Sequence, residues 1–312
     1  MNFNRNSTTS DVLEGIDLSG KTALVTGAST GLGAETARAL AASGADLTLV
    51  ARSAEKLNSV AGEIQAETGR EPETATLELD KPATIRRFAA DWLSRHDKLD
   101  LLINNAGIMA TPLTRTAEGW ESQFATNHLG HFLLTNLLAA PIQASGTARV
   151  INLSSAGHWF SSVDLDDPNY QVRDYDALQA YGQTKTANIW FTLELARRWA
   201  DHGVASFAVH PGGIQTELSR NLDAGVAEQF EQMLEQYPDI WKTIPQGAAT
   251  SCWAATSRDL DGKTGLYLED CHISEPAEGA DMMAGGYLPH AYDADGAKKL
   301  WEVSNQLLGT EF

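Results

Sequence analysis

Tyr181 and Lys185 stand four residues apart in the run Tyr181-Gly182-Gln183-Thr184-Lys185. On a helix that spacing puts both side chains on one face, where a phenol and an ammonium can serve a single site. A free tyrosine ionises near pH ~10 and is a poor acid or base at neutrality. A cation held close favours the phenolate, lowers that pKa and makes the hydroxyl a usable proton donor or acceptor. Alone, the pair describes a solvated helix edge just as well. Of the seven tyrosines, however, only Tyr181 has a lysine at this spacing, and residues elsewhere supply a setting for it.

The first of these is the turn Thr26-Gly27-Ala28-Ser29-Thr30-Gly31-Leu32-Gly33. Glycines ahead of a helix let backbone amides approach a pyrophosphate, whose charge the helix N-terminus favours. Arg52 comes next, in Ala51-Arg52-Ser53. An acidic residue at this place would take the ribose hydroxyls of NAD, whereas an arginine can accept the 2′-phosphate of NADP. The turn itself carries no second basic residue, since position 30 is threonine, so NAD stays open as the alternative cofactor. Asp80, Asn104-Asn105-Ala106-Gly107, Asn127, Ser154-Ser155 and His210-Pro211-Gly212-Gly213-Ile214-Gln215-Thr216 complete the set. A phosphate-loop pattern over 15–22 is set aside: such a loop follows a strand and opens a helix, and here a strand comes after it.

These residues need a scaffold that brings them to one edge. The glycine turn lies between a strand over 22–26 and a helix over 34–43, and a second strand over 46–51 ends at Arg52. Alternation continues through a helix over 54–67, a strand over 74–79 running into Asp80 and a helix over 82–96. An apolar strand over 99–103 follows, then a long helix over 117–139 carrying Asn127. A strand over 149–153, the Tyr181 helix to about 201 and a strand over 205–209 complete the series. Near-continuous apolar strands alternating with helices predict a doubly wound α/β (Rossmann) fold, its parallel sheet covered by helices on both faces. Ligands in such sheets sit at the strands' carboxyl ends, where Gly27, Arg52, Asp80, Asn104, Ser155 and Pro211 all fall.

Past residue 216 the pattern reads helical over 218–244 and 246–257, with a last strand over 264–268. A final helix over 294–308 starts at Asp293 and Asp295 and stops at Gly309, with Leu300, Ser304, Leu307 and Leu308 on its inner face. The expected organisation is a flexible tail over 1–19 and a single domain over 20–312. Within that domain, a substrate lobe covers about 217–246 and a C-terminal helical tail about 285–312.

A chain of 312 residues can bury a full core, and its net charge of −18 argues against nucleic acid or an anionic membrane surface as partner. Cys252 and Cys271 are too few for a disulfide framework and fit a reducing compartment. No apolar run is long enough to span a bilayer and no secretory leader is evident, so the protein is expected in the cytoplasm. His128, His131 and His158 lack carboxylate or cysteine companions at ligand spacing, so no metal is expected.

Together these residues resemble the short-chain dehydrogenase/reductase superfamily, over roughly 20–216. Phe124-Ala125-Thr126-Asn127-His128-Leu129-Gly130-His131-Phe132, the Tyr181 run and His210-Pro211-Gly212-Gly213 are similar to its retinol dehydrogenase and WW-domain oxidoreductase branch. Vertebrate members have a membrane anchor or WW domains, and neither is evident here, which suggests a soluble microbial relative. The resemblance makes Tyr181 the proton donor or acceptor. Lys185 would lower its pKa and bind the nicotinamide ribose, Ser155 would hold the substrate oxygen, and Asn127 would support a water relay. Ser155 is preferred to Ser154 because the family's serine is usually the second of such a pair. The 26 residues from Ser155 to Tyr181 exceed the superfamily's usual spacing, and an insertion over 156–175 accounts for them. On the cofactor side, Gly27, Ser29, Thr30, Gly31, Leu32 and Gly33 would cradle the pyrophosphate. Asp80 would meet the adenine and Asn105 its ribose. Ala106, Gly107, Pro211 and Gly212 would border the rings, and Ile214 and Thr216 would hold the nicotinamide amide. For Asn105 and Thr216, ordinary turn chemistry stays open.

The expected activity is an NADP(H)-dependent interconversion of an alcohol and its carbonyl compound. Trp159, Phe160, Tyr170, Met233, Ile240 and Trp241 point to a bulky, largely apolar or aromatic substrate, Arg173, Arg220 and Lys242 being the only nearby cations. The resemblance also implies a homodimer pairing the Asn127 and Tyr181 helices. A cofactor-sensing protein without turnover and a sugar-nucleotide epimerase are the alternatives. The retained Tyr181 and Lys185 weigh against the first, and the glycine spacing against the second.

Overall fold

A computed structural model describes residues 3–236 and 241–312. Eight strands form one sheet in the order β10-β9-β6-β5-β4-β1-β2-β3. Its centre is β1 (Thr22–Thr26), β4 (Leu101–Asn104), β5 (Arg149–Leu153) and β6 (Ala205–His210), flanked by β2 (Asp46–Ala51), β3 (Glu73–Thr76) and β9 (Leu266–Glu269). All of these pair in parallel, and the edge strand β10 (His272–Ile273) runs antiparallel to β9. The central strands are buried almost throughout because helices cover both faces, as their unbroken apolar sequences require. Order reverses between β1 and β4, and the crevice at a reversal is where an open α/β sheet binds its ligand.

One face carries α2 (Gly31–Ala42), α3 (Ala54–Thr68) and α10 (Ile244–Thr256), whose apolar residues share a core with β1 and β2. The other face carries α4 (Pro82–Leu93), α6 (Gly130–Leu137) and α8 (Ala177–Arg198), with α11 (Ala294–Leu308) laid outside them. Helix α8 starts where Asp176 accepts from the Gln179 amide and is buried on nearly every side.

The helix expected over 117–139 is broken. Glu121 caps a short α5 (Ser122–Phe124), a π-helical turn spans Ala125–Leu129, and α6 and α7 (Ala139–Ser145) follow. The wide turn presents Asn127 to Ile108, whose amide and carbonyl it binds at 2.9 Å each. Such π-bulges occur frequently at functional sites.

Other expectations are corrected. The 1–19 segment is not a free tail: it holds α1 (Thr9–Val12), and Val12, Leu13 and Leu18 join the core against α10. Its sequence shows no period because only these few apolar side chains are used. The 217–246 lobe is not one helix but a 3₁₀ turn (Glu217–Asn221), α9 (Ala224–Gln236) and a two-stranded sheet of β7 (Gly213–Ile214) with β8 (Trp241–Lys242). Ile240 and the side chains of Phe230, Met233 and Leu234 lie outside the described residues. Of the C-terminal stretch, α11 is a helix over the expected span, with Asp293 at its start and Gly309 in the left-handed region at its end. The preceding residues 285–288 form a non-helical strap, which Gly285 and Gly286 enter with positive φ.

Trp301 is the largest of the buried residues of α11 that the sequence reading did not name, beside Gly296 and Ala297. Its ring meets Phe132 of α6 at 4.8 Å and Phe191 of α8 at 5.9 Å, and Arg198 stacks over it at 4.3 Å. The chain's last residue, Phe312, also packs on Phe132. The two helices expected to pair across a dimer are thus covered by α11 of their own chain.

Candidate active site

Strand β1 delivers the chain straight into the glycine turn, which is set by close approaches. A Cβ on Gly33 would lie 2.3 Å from the Gly27 carbonyl oxygen, and one on Gly27 would lie 2.8 Å from the Ala106 Cα. Gly31 has φ +57, a conformation glycine adopts without strain. At the start of α2, Thr30 makes no side-chain cap bond, so the first-turn amides stay available to an anion. These residues line one cavity of about 1080 Å³ that runs across the sheet's carboxyl edge.

At one end of the cavity lie Arg52, Ser53, Lys56 and Asp80. Arg52 is exposed and forms no hydrogen bond or ion pair among the described residues. Lys56 is held by Glu217 at 2.8 Å. Arg5 also lines the cavity, because the N-terminal segment is tied down where Gln246 donates to the Asn6 carbonyl and Thr9 bonds Glu35. Nothing local in the sequence marks Arg5 as a cavity residue. Its place depends on the packing of α1.

The middle of the cavity rests on a brace. Asn105 donates from Nδ2 to the Thr26 carbonyl at 2.8 Å, and the Asn105 and Ala106 amides both donate to Thr26 Oγ1. The Asn105 amide group therefore holds the glycine turn, and ribose contact is not where its nitrogen is spent. The Thr26 hydroxyl also meets His131 Nε2 at 2.9 Å, while His131 Nδ1 donates to the Asn127 carbonyl at 3.1 Å. Burial pushes His131 down to about 4, so the ring is neutral and Nε2 accepts from Thr26. Thus one histidine connects the glycine turn to the π-helical turn.

At the inner end, Ser155, Tyr181 and Lys185 line the cavity together, whereas Asn127 is wholly buried just behind it. Ser155 Oγ accepts from the Gly157 amide at 3.0 Å, which leaves its own proton free to turn towards the cavity that Tyr181 also lines. Ser154, by contrast, points into the protein and donates to the Lys185 carbonyl. Lys185 Nζ donates to the Leu153 carbonyl at 3.0 Å and lies 5.3 Å from the centre of the Tyr181 ring. Asn127 Nδ2 also donates to Thr184, fixing α8 beside Gly107.

The electrostatics differ from the simple expectation. Burial raises Tyr181 to about 12, with the nearby Ser155 hydroxyl pulling the other way, and burial lowers Lys185 to about 8. Desolvation penalises both ions, and it is the largest cause at each. The tyrosine is therefore a neutral acid at neutral pH rather than a preformed phenolate.

Pro211, Gly212, Ile214 and Thr216 border the same end. His210, to which the sequence reading gave no role beyond its motif, accepts from the Ala156 and Gly212 amides through Nδ1 at 3.2 and 3.3 Å, so it pins the Ser155 turn to the Pro211 turn. Burial holds it at about 3, neutral throughout the working range. Phe160, Leu178, Trp241, Met282 and Met283 give the outer wall its apolar surface. Trp159 and Tyr170 are not part of that wall. Trp159 donates to the Gly286 carbonyl, and Tyr170 is buried between Tyr175 and the Arg173 guanidinium. Arg220 and Lys242 do line the cavity, but each is paired, with Glu217 and Asp270 respectively. Among the described residues no group of histidine, cysteine and carboxylate side chains could hold a metal, and no helix is long and apolar enough to cross a membrane.

The donor set fits a dinucleotide: an uncapped helix N-terminus, glycines that admit a backbone-close ligand and a free guanidinium at the end of β2. Residues 21–227 match the family model described as short chain dehydrogenase. A short-chain dehydrogenase/reductase from Penicillium roqueforti is 42% identical over 294 residues, covering 92% of this chain and 85% of that protein. Retinol dehydrogenase 13 of Homo sapiens is 39% identical, covering 94% and 86%. Among solved structures, an uncharacterized protein from Mycobacterium paratuberculosis superposes with a TM-score of 0.75 at 33% identity, over 98% of this chain and 99% of that one. A short chain dehydrogenase of Shigella flexneri complexed with NADP superposes at 0.63 with 26% identity, over 81% and 97%.

Proposed function

Because the chain belongs to the short-chain dehydrogenase family and is a nicotinamide-dependent oxidoreductase, we propose that it interconverts a bulky, largely apolar or aromatic alcohol and its carbonyl compound, with NADP(H) preferred to NAD(H). The observation that carries this reading is that Ser155, Tyr181 and Lys185 line one end of a cavity that also contains the uncapped glycine turn, with the Lys185 ammonium 5.3 Å from the Tyr181 ring.

The bound nicotinamide supplies or accepts the hydride. Tyr181, protonated at neutral pH, donates its proton to the carbonyl oxygen during reduction, and takes it back from the alcohol during oxidation. Ser155 donates to the same oxygen and keeps it within reach. Lys185 uses one proton on Leu153 and directs its remaining charge into the cavity, opposing any build-up of positive charge on the tyrosine's side and favouring the phenolate once the proton has left. Asn127 holds Ile108 and Thr184 so that this face keeps its shape. Gly27, Ser29, Thr30, Gly31, Leu32 and Gly33 take the pyrophosphate, and Arg52 takes the 2′-phosphate. The substrate reading draws on Phe160, Leu178, Trp241, Met282 and Met283, and on the paired state of the nearby cations.

The test follows nicotinamide absorbance with a panel of carbonyl compounds. An aryl or long-chain ketone should exceed a polyhydroxylated one of similar size in kcat/KM by at least about tenfold, because the wall offers few groups to replace lost water. If the polyhydroxylated compound wins by that margin, the substrate reading fails.

A further inference from the structure

Glu269 is a carboxylate that the chemistry above does not use. It ends β9, in register with His210 of β6, so the two side chains leave the sheet on the same side. Tyr267, two residues earlier and on that same face, packs edge-on against His158 at 5.1 Å, and His158 is bonded to the Ser155 carbonyl. Glu269 therefore stands on the face that carries Ser155 and Tyr181, and it lines the cavity with them.

Its side chain is only 7% exposed. Oε1 is fully engaged, accepting from Ser274 Oγ at 2.6 Å and from the Gly286 amide of the strap at 2.8 Å. Oε2 has no hydrogen-bond partner among the described residues. Lys242, a cation that lines the same cavity, is paired with Asp270. An ionised carboxylate is an acceptor only, and at a residue this buried the water that can satisfy Oε2 is confined to the cavity, which carries a cost. A ligand that brings a donor removes that cost.

We propose that Glu269 is a substrate-recognition residue, its Oε2 accepting a hydrogen bond from a hydroxyl or ammonium group that the substrate carries away from its reacting carbon. The substrate is then an apolar carbonyl compound or alcohol bearing one polar donor. This rests on the oxidoreductase reading and narrows its substrate class.

The test uses acetophenones carrying hydroxymethyl, aminomethyl or ethyl at the meta or para position, with wild type and Glu269→Gln. The glutamine keeps a carbonyl oxygen for Ser274 and Gly286 but replaces the cavity-facing oxygen with an amide donor. For wild type, kcat/KM should favour a donor-bearing ketone over its ethyl congener by about 10- to 100-fold. In Glu269→Gln that ratio should collapse to near one. Preference for the aminomethyl member alone identifies an ammonium, and preference for the hydroxymethyl member a hydroxyl. Calorimetric titration of the protein loaded with oxidised NADP with the same ketones, a pairing that has no hydride to transfer, should give the same order of affinities without any turnover. An ethyl congener that is bound and reduced as well as the others overturns the proposal. So does a preference that survives in Glu269→Gln, because the residue would then only anchor the strap. Failure of the oxidoreductase reading looks different: no ketone is reduced, while the binding order still reports on Glu269.

Discussion

At the scale of single residues, Tyr181 and Arg52 carry the sharpest expectations. Tyr181→Phe removes the acid/base hydroxyl and keeps the ring that fills the space beside Gly157. General acid–base catalysis contributes about 10²–10⁴-fold, so kcat should fall at least a hundredfold while cofactor affinity holds. Retention of more than a tenth of wild-type turnover would end that assignment. Lys185 is positive only below about 8, so turnover that uses its charge should decline as pH rises through that value. For Arg52→Asp, a phosphate partner becomes a repelling charge. The NADP(H)-to-NAD(H) preference should shift by about ten- to a hundredfold, the worth of one charge-assisted hydrogen bond. An unchanged ratio of kcat/KM values would show that Arg52 does not discriminate.

At the scale of elements, α11 is the piece whose role is structural and measurable. Its apolar stripe covers α6 and α8, and Trp301 sits at the centre of an aromatic cluster with Phe132 and Phe191. Emptying that position creates a large cavity, and such truncations cost about 3–5 kcal/mol. We expect Trp301→Ala to lower the unfolding free energy by that amount in chemical denaturation. A loss below about 1 kcal/mol would mean that α11 docks without it. The helix itself was legible in the sequence, because its caps and period are local. The break in the Asn127 helix was not, since the π-helical turn is stabilised by Ile108, which lies 19 residues away.

For the molecule as a whole, four buried histidines predict the response to acid. Burial lowers His131 and His158 to about 4, and His128 and His210 to about 3. An unfolded histidine titrates near ~6.5, so below that value the unfolded chain binds protons that the folded chain refuses. Stability present above about 6.5 is therefore lost as pH falls towards the folded values, at about 1.4 kcal/mol per pH unit for each histidine. Acid unfolding should fall between about pH 4 and 6 when followed by circular dichroism. A thermal midpoint that stays level from pH 7 to 4 would contradict it.

By itself the sequence determined the alternation of strands and helices, the glycine turn and the Tyr181–Lys185 spacing, because each is a pattern within a few neighbouring residues. It also carried Ser155, Arg52 and the Pro211 turn to the same edge, since every strand of a parallel sheet ends there. Tertiary structure alone decided which groups do something different from their local pattern. Asn105 braces Thr26, Trp159 ties down the strap, Arg5 reaches the cavity from a segment with no period, and burial leaves Tyr181 a neutral acid. In each case the partner is distant in the chain, and desolvation depends on what surrounds a group from every side. Neither is written in local spacing.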